Sequence, residues 1–176
     1  RGLGDVYKRQ MQQAAGTVKK VSLELGGNAP LIIFDDADLD RAVEGAIACK
    51  YRNAGQTCVC TNRIFVQDGV YDAFAERFAR AVGEMKQGNG FDDGVTVGPM
   101  ITMAAVEKVE AHVADAVGQG AQVVAGGARS NLGGLFYQPT ILTEATPKMR
   151  IFKEETFGPV APCLLYTSDA ADEVSW

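Results

Sequence analysis

Apolar and polar side chains alternate through Val21-Ser-Leu-Glu-Leu25, the period of a half-buried strand. Gly26-Gly27-Asn28 breaks that alternation, and Leu31-Ile-Ile-Phe34 follows as a short apolar run of the kind buried on both faces. Asp38 is placed to cap a helix, because Leu39, Ala42, Val43, Ala46 and Ile47 recur behind it at helical spacing up to about Tyr51. Ile64-Phe-Val66 reads as a strand. A second amphipathic helix is predicted over Tyr71 to Met85, with Phe74, Phe78, Ala81, Val82 and Met85 on one side. A third starts near Thr102 and carries Val106, Val109, Val113 and Val117; Gln122-Val-Val-Ala125 and Thr140-Ile-Leu142 are further strands. Strands alternating with helices predict an α/β fold, a largely parallel sheet with flanking helices.

Composition narrows the class. The 176 residues are 47% hydrophobic and 22% charged, which suits one globular domain with a sizeable core. A formal net charge of −5 gives no general attraction for nucleic acid or an anionic membrane, and no apolar run approaches the roughly 20 residues needed to span a bilayer. Neither partner is expected. Four cysteines, Cys49, Cys58, Cys60 and Cys163, are too sparse for a secreted disulfide framework, so a reducing, cytoplasmic setting is expected. The two ends read differently from the middle. Residues 1–10 show no useful periodicity, and from Leu164 onward there is no clear core-facing pattern. Every chemical motif lies between, so the expected division is 1–10, 11–163 and 164–176, with both end segments foreign to the domain.

The most informative stretch is Asn53-Ala-Gly-Gln-Thr-Cys-Val-Cys60. A cysteine after a short Gly-containing loop can sit exposed, with backbone N–H groups near its sulfur, which makes Cys58 a candidate nucleophile. A buried structural cysteine is the competing reading. A cysteine hydrolase would want a histidine partner, but the single histidine, His112, sits among valines on a helix, either facing solvent or satisfied locally. If Cys58 and Cys60 lie on one strand they face the same way, and a reversible thiol pair is a second possibility; two sulfurs alone do not make a metal site, and no metal is expected. Glu24, between two leucines, is either a partly buried general base or a solvated acid on the outer face. The Gly88-Asn-Gly90 and Gly94 spacing does not fit a phosphate-binding loop.

Together these stretches resemble the aldehyde dehydrogenase superfamily. Leu23-Glu-Leu-Gly-Gly-Asn-Ala-Pro30 is similar to its glutamate motif, Asn53-Ala-Gly-Gln-Thr-Cys58 to its nucleophile loop, and Glu154-Glu-Thr-Phe-Gly-Pro-Val160 to the segment beside the nicotinamide ribose. The order is the family's, over residues 11 to 163, and Lys50 to Cys60 is most similar to the succinate-semialdehyde branch. The resemblance implies that Cys58 attacks an aldehyde, that the thiohemiacetal is oxidised by NAD or NADP to a thioester, and that Glu24 activates the water that releases the acid. It implies that Glu155 and Phe157 contact the cofactor and that Arg52 holds the distal carboxylate of a small-molecule aldehyde. It places the family's dinucleotide-binding half outside this chain, so the chain alone is expected to be inactive and its parent a homo-oligomer. Residues 1–10 and 164–176 look like translated adapter sequence.

Overall fold

The computed structural model describes residues 3–167, with side chains from residue 6 onward. Asp169, Asp172 and Glu173 lie outside the described residues. The elements run α1 Leu3–Ala15, β1 Ala29–Ile33, α2 Leu39–Tyr51, β2 Thr61–Gln67, α3 Tyr71–Gly83, α4 Met103–Gly118, β3 Gln122–Ala125, β4 Thr140–Thr143, α5 Arg150–Lys153 and β5 Val160–Tyr166. They build a five-stranded sheet in the order β1-β2-β5-β4-β3. β1, β2, β5 and β4 run parallel, and β3 is antiparallel at one edge. The expected α/β architecture is therefore present, with one reversed edge strand. Among the described residues no helix is long and apolar enough to cross a membrane.

The strand period of two divides the core between the faces of the sheet. Ile64 and Val66 of β2, Ile141 of β4, and Ala161 and Cys163 of β5 pack with Val43 and Ala46 of α2 and Phe74, Phe78 and Val82 of α3. Leu142, Val160 and Leu164 point the other way, toward Val106, Val109, Val113 and Ala116 of α4 and Ile151 of α5. Covering both faces is what lets parallel strands be apolar throughout. The helix starts follow from capping. Asp38 accepts from the backbone N–H groups of Asp40 and Arg41 at 3.1 and 3.2 Å, and Thr102 accepts from Ala105 N–H at 3.2 Å.

Four expectations need correction. Val21–Leu25 is not a strand: residues 19–28 carry no regular secondary structure, because no neighbouring strand lies beside them among the described residues. Leu3–Ala15 forms α1 where no periodicity was expected: Lys, Arg, Gln, Met and Ala favour helix, and Val6, Tyr7, Met11 and Ala14 recur at helical spacing. β5 lacks alternating polarity, being covered on both sides, and was not foreseen. It extends to Tyr166, and Leu164 is a core residue at 3% exposure, opposite Phe65 of β2.

Candidate active site

Three connecting segments converge where parallel strands begin. Glu24 to Asn28 lead into β1, Gln56 to Cys60 into β2, and Glu155 to Gly158 toward β5. Between them lies a cleft of about 610 Å³ whose lining includes Glu24, Gln56, Cys58, Lys108, Glu155 and Phe157. The cleft is thus at the amino ends of the strands.

The loop that leads to Cys58 is a left-handed turn. α2 stops at Tyr51, and Asn53, Ala54 and Gly55 take φ of 53°, 54° and 73°. Left-handed geometry costs a residue with a Cβ roughly 1–2 kcal/mol, so two in succession need an external constraint. Gln56 supplies it. Its Nε2 donates to Asn53 O at 3.0 Å and Pro99 O at 3.2 Å, while its Oε1 accepts from Ile101 N–H at 2.8 Å. Gly55 is held against Gly158, whose carbonyl oxygen lies 2.2 Å from where a Cβ would stand. Thr57 to Cys60 then form a turn closed by Cys60 N–H to Thr57 O at 3.0 Å. Cys58 sits in this turn, half-buried, and its own N–H has no partner among the described residues.

Gly26 and Gly27 permit the approach of the other two segments. A Cβ on Gly26 would be 2.6 Å from Glu155 Oε2, and one on Gly27 would be 2.0 Å from the Cys58 carbonyl oxygen. Gly27 N–H donates to Glu155 Oε1 at 3.1 Å, and Gly27 O accepts from Asn62 Nδ2 at 3.3 Å. Asn62 Oδ1 in turn accepts from Lys50 Nζ at 3.2 Å. Lys50 is wholly buried, and that desolvation pulls its pKa down against the opposing pull of Cys60 and Glu155. Burial pushes the Cys60 thiol up, opposed by Lys50. Cys58 and Cys60 do not share a strand face: Cys58 is in the turn and lines the cleft, whereas Cys60 is buried with Sγ 3.4 Å from Lys50 O.

Glu24 is exposed at the cleft, not partly buried, because the segment that carries it has no sheet neighbour to cover it. Glu155 is half-buried. One carboxylate oxygen takes the Gly27 N–H, and the other has no hydrogen-bond partner among the described residues. Phe157 holds φ 52° beside it. His112 does not face solvent: it is fully buried and bonded to Glu154 and Thr156. Arg52 ends α2 on the exposed side, outside the cleft lining, and makes no ion pair among the described residues. Within the same limits, no group of three His, Cys, Asp or Glu side chains is arranged to hold a metal ion.

The structure therefore brings Cys58, Glu24, Glu155 and Phe157 together and leaves Arg52 and Cys60 apart from them. Gln56, Lys50, Asn62 and Lys108 carry the scaffolding of the site and were not singled out. Gln56 lies inside the Asn53–Cys60 loop, and a lysine closing an otherwise amphipathic helix is the sequence sign for Lys50.

A thiol and two carboxylates thus meet in one cleft of a largely parallel α/β sheet, and the chain belongs to the aldehyde dehydrogenase family, whose model matches residues 2–175. It is 57% identical over 169 residues to succinate-semialdehyde dehydrogenase (NADP+) GabD of Escherichia coli K12, covering 96% of this chain and 35% of that protein. It is 58% identical over 173 residues to 3-sulfolactaldehyde dehydrogenase of Pseudomonas putida, covering 98% and 35%. The crystal structure of succinate-semialdehyde dehydrogenase from Burkholderia pseudomallei superposes with a TM-score of 0.90 at 59% identity, over 93% of this chain and 34% of that one. The chain thus spans about a third of the length of these relatives.

Proposed function

We propose that this chain is the nucleophile-bearing part of an NAD(P)-dependent aldehyde dehydrogenase acting on a small aldehyde with a distal anionic group, succinate semialdehyde being the first candidate. The observation that carries this reading is the meeting of Cys58, Glu24, Glu155 and Phe157 in one cleft. Cys58 Sγ adds to the aldehyde carbon, and the unpartnered Cys58 N–H is free to stabilise the oxyanion. A nicotinamide cofactor, when bound, supplies the two-electron acceptor that converts the thiohemiacetal to a thioester. Glu24 then takes a proton from water; the resulting hydroxide adds to the thioester carbon, the C–S bond breaks, and Cys58 leaves as thiolate beside a carboxylic acid. The residues present suit the cofactor. Glu155 has a carboxylate oxygen free for ribose hydroxyls, and Phe157 offers an aromatic face on the same wall.

Two relatives favour an anionic tail. Succinate semialdehyde carries a carboxylate and 3-sulfolactaldehyde a sulfonate, and the family resemblance assigns Arg52, exposed outside the cleft lining and without an ion pair among the described residues, as the cation that would meet either tail at the cleft mouth. The test installs residues 11–163 in place of the matching third of the Escherichia coli relative and follows NAD(P)H formation. Turnover of succinate semialdehyde that disappears with Cys58→Ser is expected. Arg52→Leu should raise KM for succinate semialdehyde by about tenfold or more, the worth of a charge-assisted hydrogen bond, and leave propanal unchanged. Full activity of Cys58→Ser overturns the mechanism. An equal effect of Arg52→Leu on both aldehydes overturns the role of Arg52 alone.

A further inference from the structure

We propose that α4 sets the position of the cofactor-facing segment, with Lys108 and His112 as its two positioning residues; this rests on the reading of Glu155 given above. Residues four apart share a helix face. From that face Lys108 Nζ donates to Glu155 O at 2.5 Å. One turn on, His112 Nε2 meets Glu154 Oε2 at 3.0 Å and His112 Nδ1 meets Thr156 Oγ1 at 3.4 Å. Three consecutive residues, 154, 155 and 156, are therefore each held from α4. Val109, between the two, fills the space beside Gly158: its Cγ2 would lie 2.4 Å from a Cβ there. The grip ends on either side of Phe157, whose left-handed φ of 52° needs such support.

The imidazole suits the task in its neutral form. Its Nε2–H donates to the Glu154 carboxylate, and Nδ1 accepts from the Thr156 hydroxyl, so both ring nitrogens are satisfied although the side chain has no exposed surface. The charged groups facing it are Glu154 and Arg150 from α5 and its edge, and Lys108 from its own helix. Arg150 also binds Glu154, through Nε and Nη2 at 3.2 and 3.1 Å, and its backbone N–H donates to Asp115 Oδ2 at 2.8 Å. Burial lowers the His112 pKa more than Glu154 raises it, in keeping with the neutral ring.

Two measurements test the assignment. In the 176-residue chain, His112 is the sole histidine, so nitrogen NMR reads it without ambiguity. The Nε2–H tautomer with a pKa below 6.5 is expected, falling further in Glu154→Gln. Mixed tautomers at an ordinary pKa overturn the geometry. In the intact chimeric enzyme, Lys108→Met and His112→Leu should each raise KM for NAD(P)+ by about tenfold, the scale of one charge-assisted bond, with KM for the aldehyde unchanged. His112→Gln, which keeps an N–H for Glu154, should recover part of the loss. Should His112→Leu fail to fold, Lys108→Met and His112→Gln carry the test. Glu155→Gln separates the two readings. If it weakens the cofactor while the α4 variants do not, the positioning role fails alone; if it leaves cofactor KM unchanged, the reading of Glu155 fails.

Discussion

Replacing Gly27 by alanine tests whether the meeting of the loops is as close as the fold makes it. The new methyl would stand 2.0 Å from the Cys58 carbonyl oxygen and 3.2 Å from its carbonyl carbon, both of them backbone atoms. Restoring an ordinary contact requires the two segments to separate by about 1.4 Å. That movement stretches Gly27 N–H to Glu155 Oε1, now 3.1 Å, and Asn62 Nδ2 to Gly27 O, now 3.3 Å, out of bonding range. One bond goes to a carboxylate and one is neutral, so the expected loss is roughly 2–4 kcal/mol. Urea unfolding followed by circular dichroism should show the midpoint fall with the slope unchanged. Peptide mapping after iodoacetamide should show altered labelling of Cys58, with Cys163 still protected by burial. Gly45→Ala is the control. It lies within α2 with no atom within 4 Å of the added Cβ, so helix propensity alone should stabilise by about 0.5–1 kcal/mol. A Gly27→Ala chain that matches the parent in both midpoint and labelling refutes the packing argument.

Phe78 is fully buried and stacks on Phe74 with ring centroids 5.3 Å apart, so Phe78→Ala should cost about 3–5 kcal/mol in denaturant unfolding; a loss below about 1 kcal/mol would show the first core cluster to be loosely packed. Alkaline stability should follow Tyr71, Tyr137 and Cys163, which burial pushes up to about 12 from ordinary values of 10.0, 10.0 and 9.0. The folded state keeps these protons longer than the unfolded chain, so stability is full below about pH 9 and falls as pH rises toward 12. Tyr71→Phe should flatten part of that fall, and an unchanged pH slope would count against it. At the acid end Glu154, held at about 2 by Arg150 and then His112, keeps its share of stability above pH 4.5 and loses it as pH drops through 2. Glu154→Gln should remove that acid limb from the denaturation curve.

Most regular elements were legible in the sequence because their signals are local. Asp38 and Thr102 cap the helices they announce, and the apolar spacing of α2, α3 and α4 matches the faces they bury, except that Val117 at the end of α4 is exposed. Two errors share one cause. Val21–Leu25 has strand alternation but no neighbour to pair with, and β5 is covered on both sides and so has no alternation to read. Each depends on what lies beside the segment, which a local pattern does not contain.

The sequence by itself determined which residues are the candidates for chemistry: a cysteine after a glycine loop, a glutamate beside a glycine pair, and a Glu-Thr-Phe-Gly segment, in the order of the family it resembles. Only the tertiary structure decided that they meet, and what holds them there. Gly27 and Glu155 are 128 positions apart, and His112 and Glu154 are 42 apart, yet each pair is joined by one hydrogen bond. The first contact arises because parallel strands bring their amino ends side by side however much chain separates them, the second because α4 and α5 pack into one core cluster on the same face of the sheet. That long-range placement also put Cys60 in the interior and Arg52 outside the cleft, distinctions that two residues of spacing on one strand, or six residues of loop, do not express.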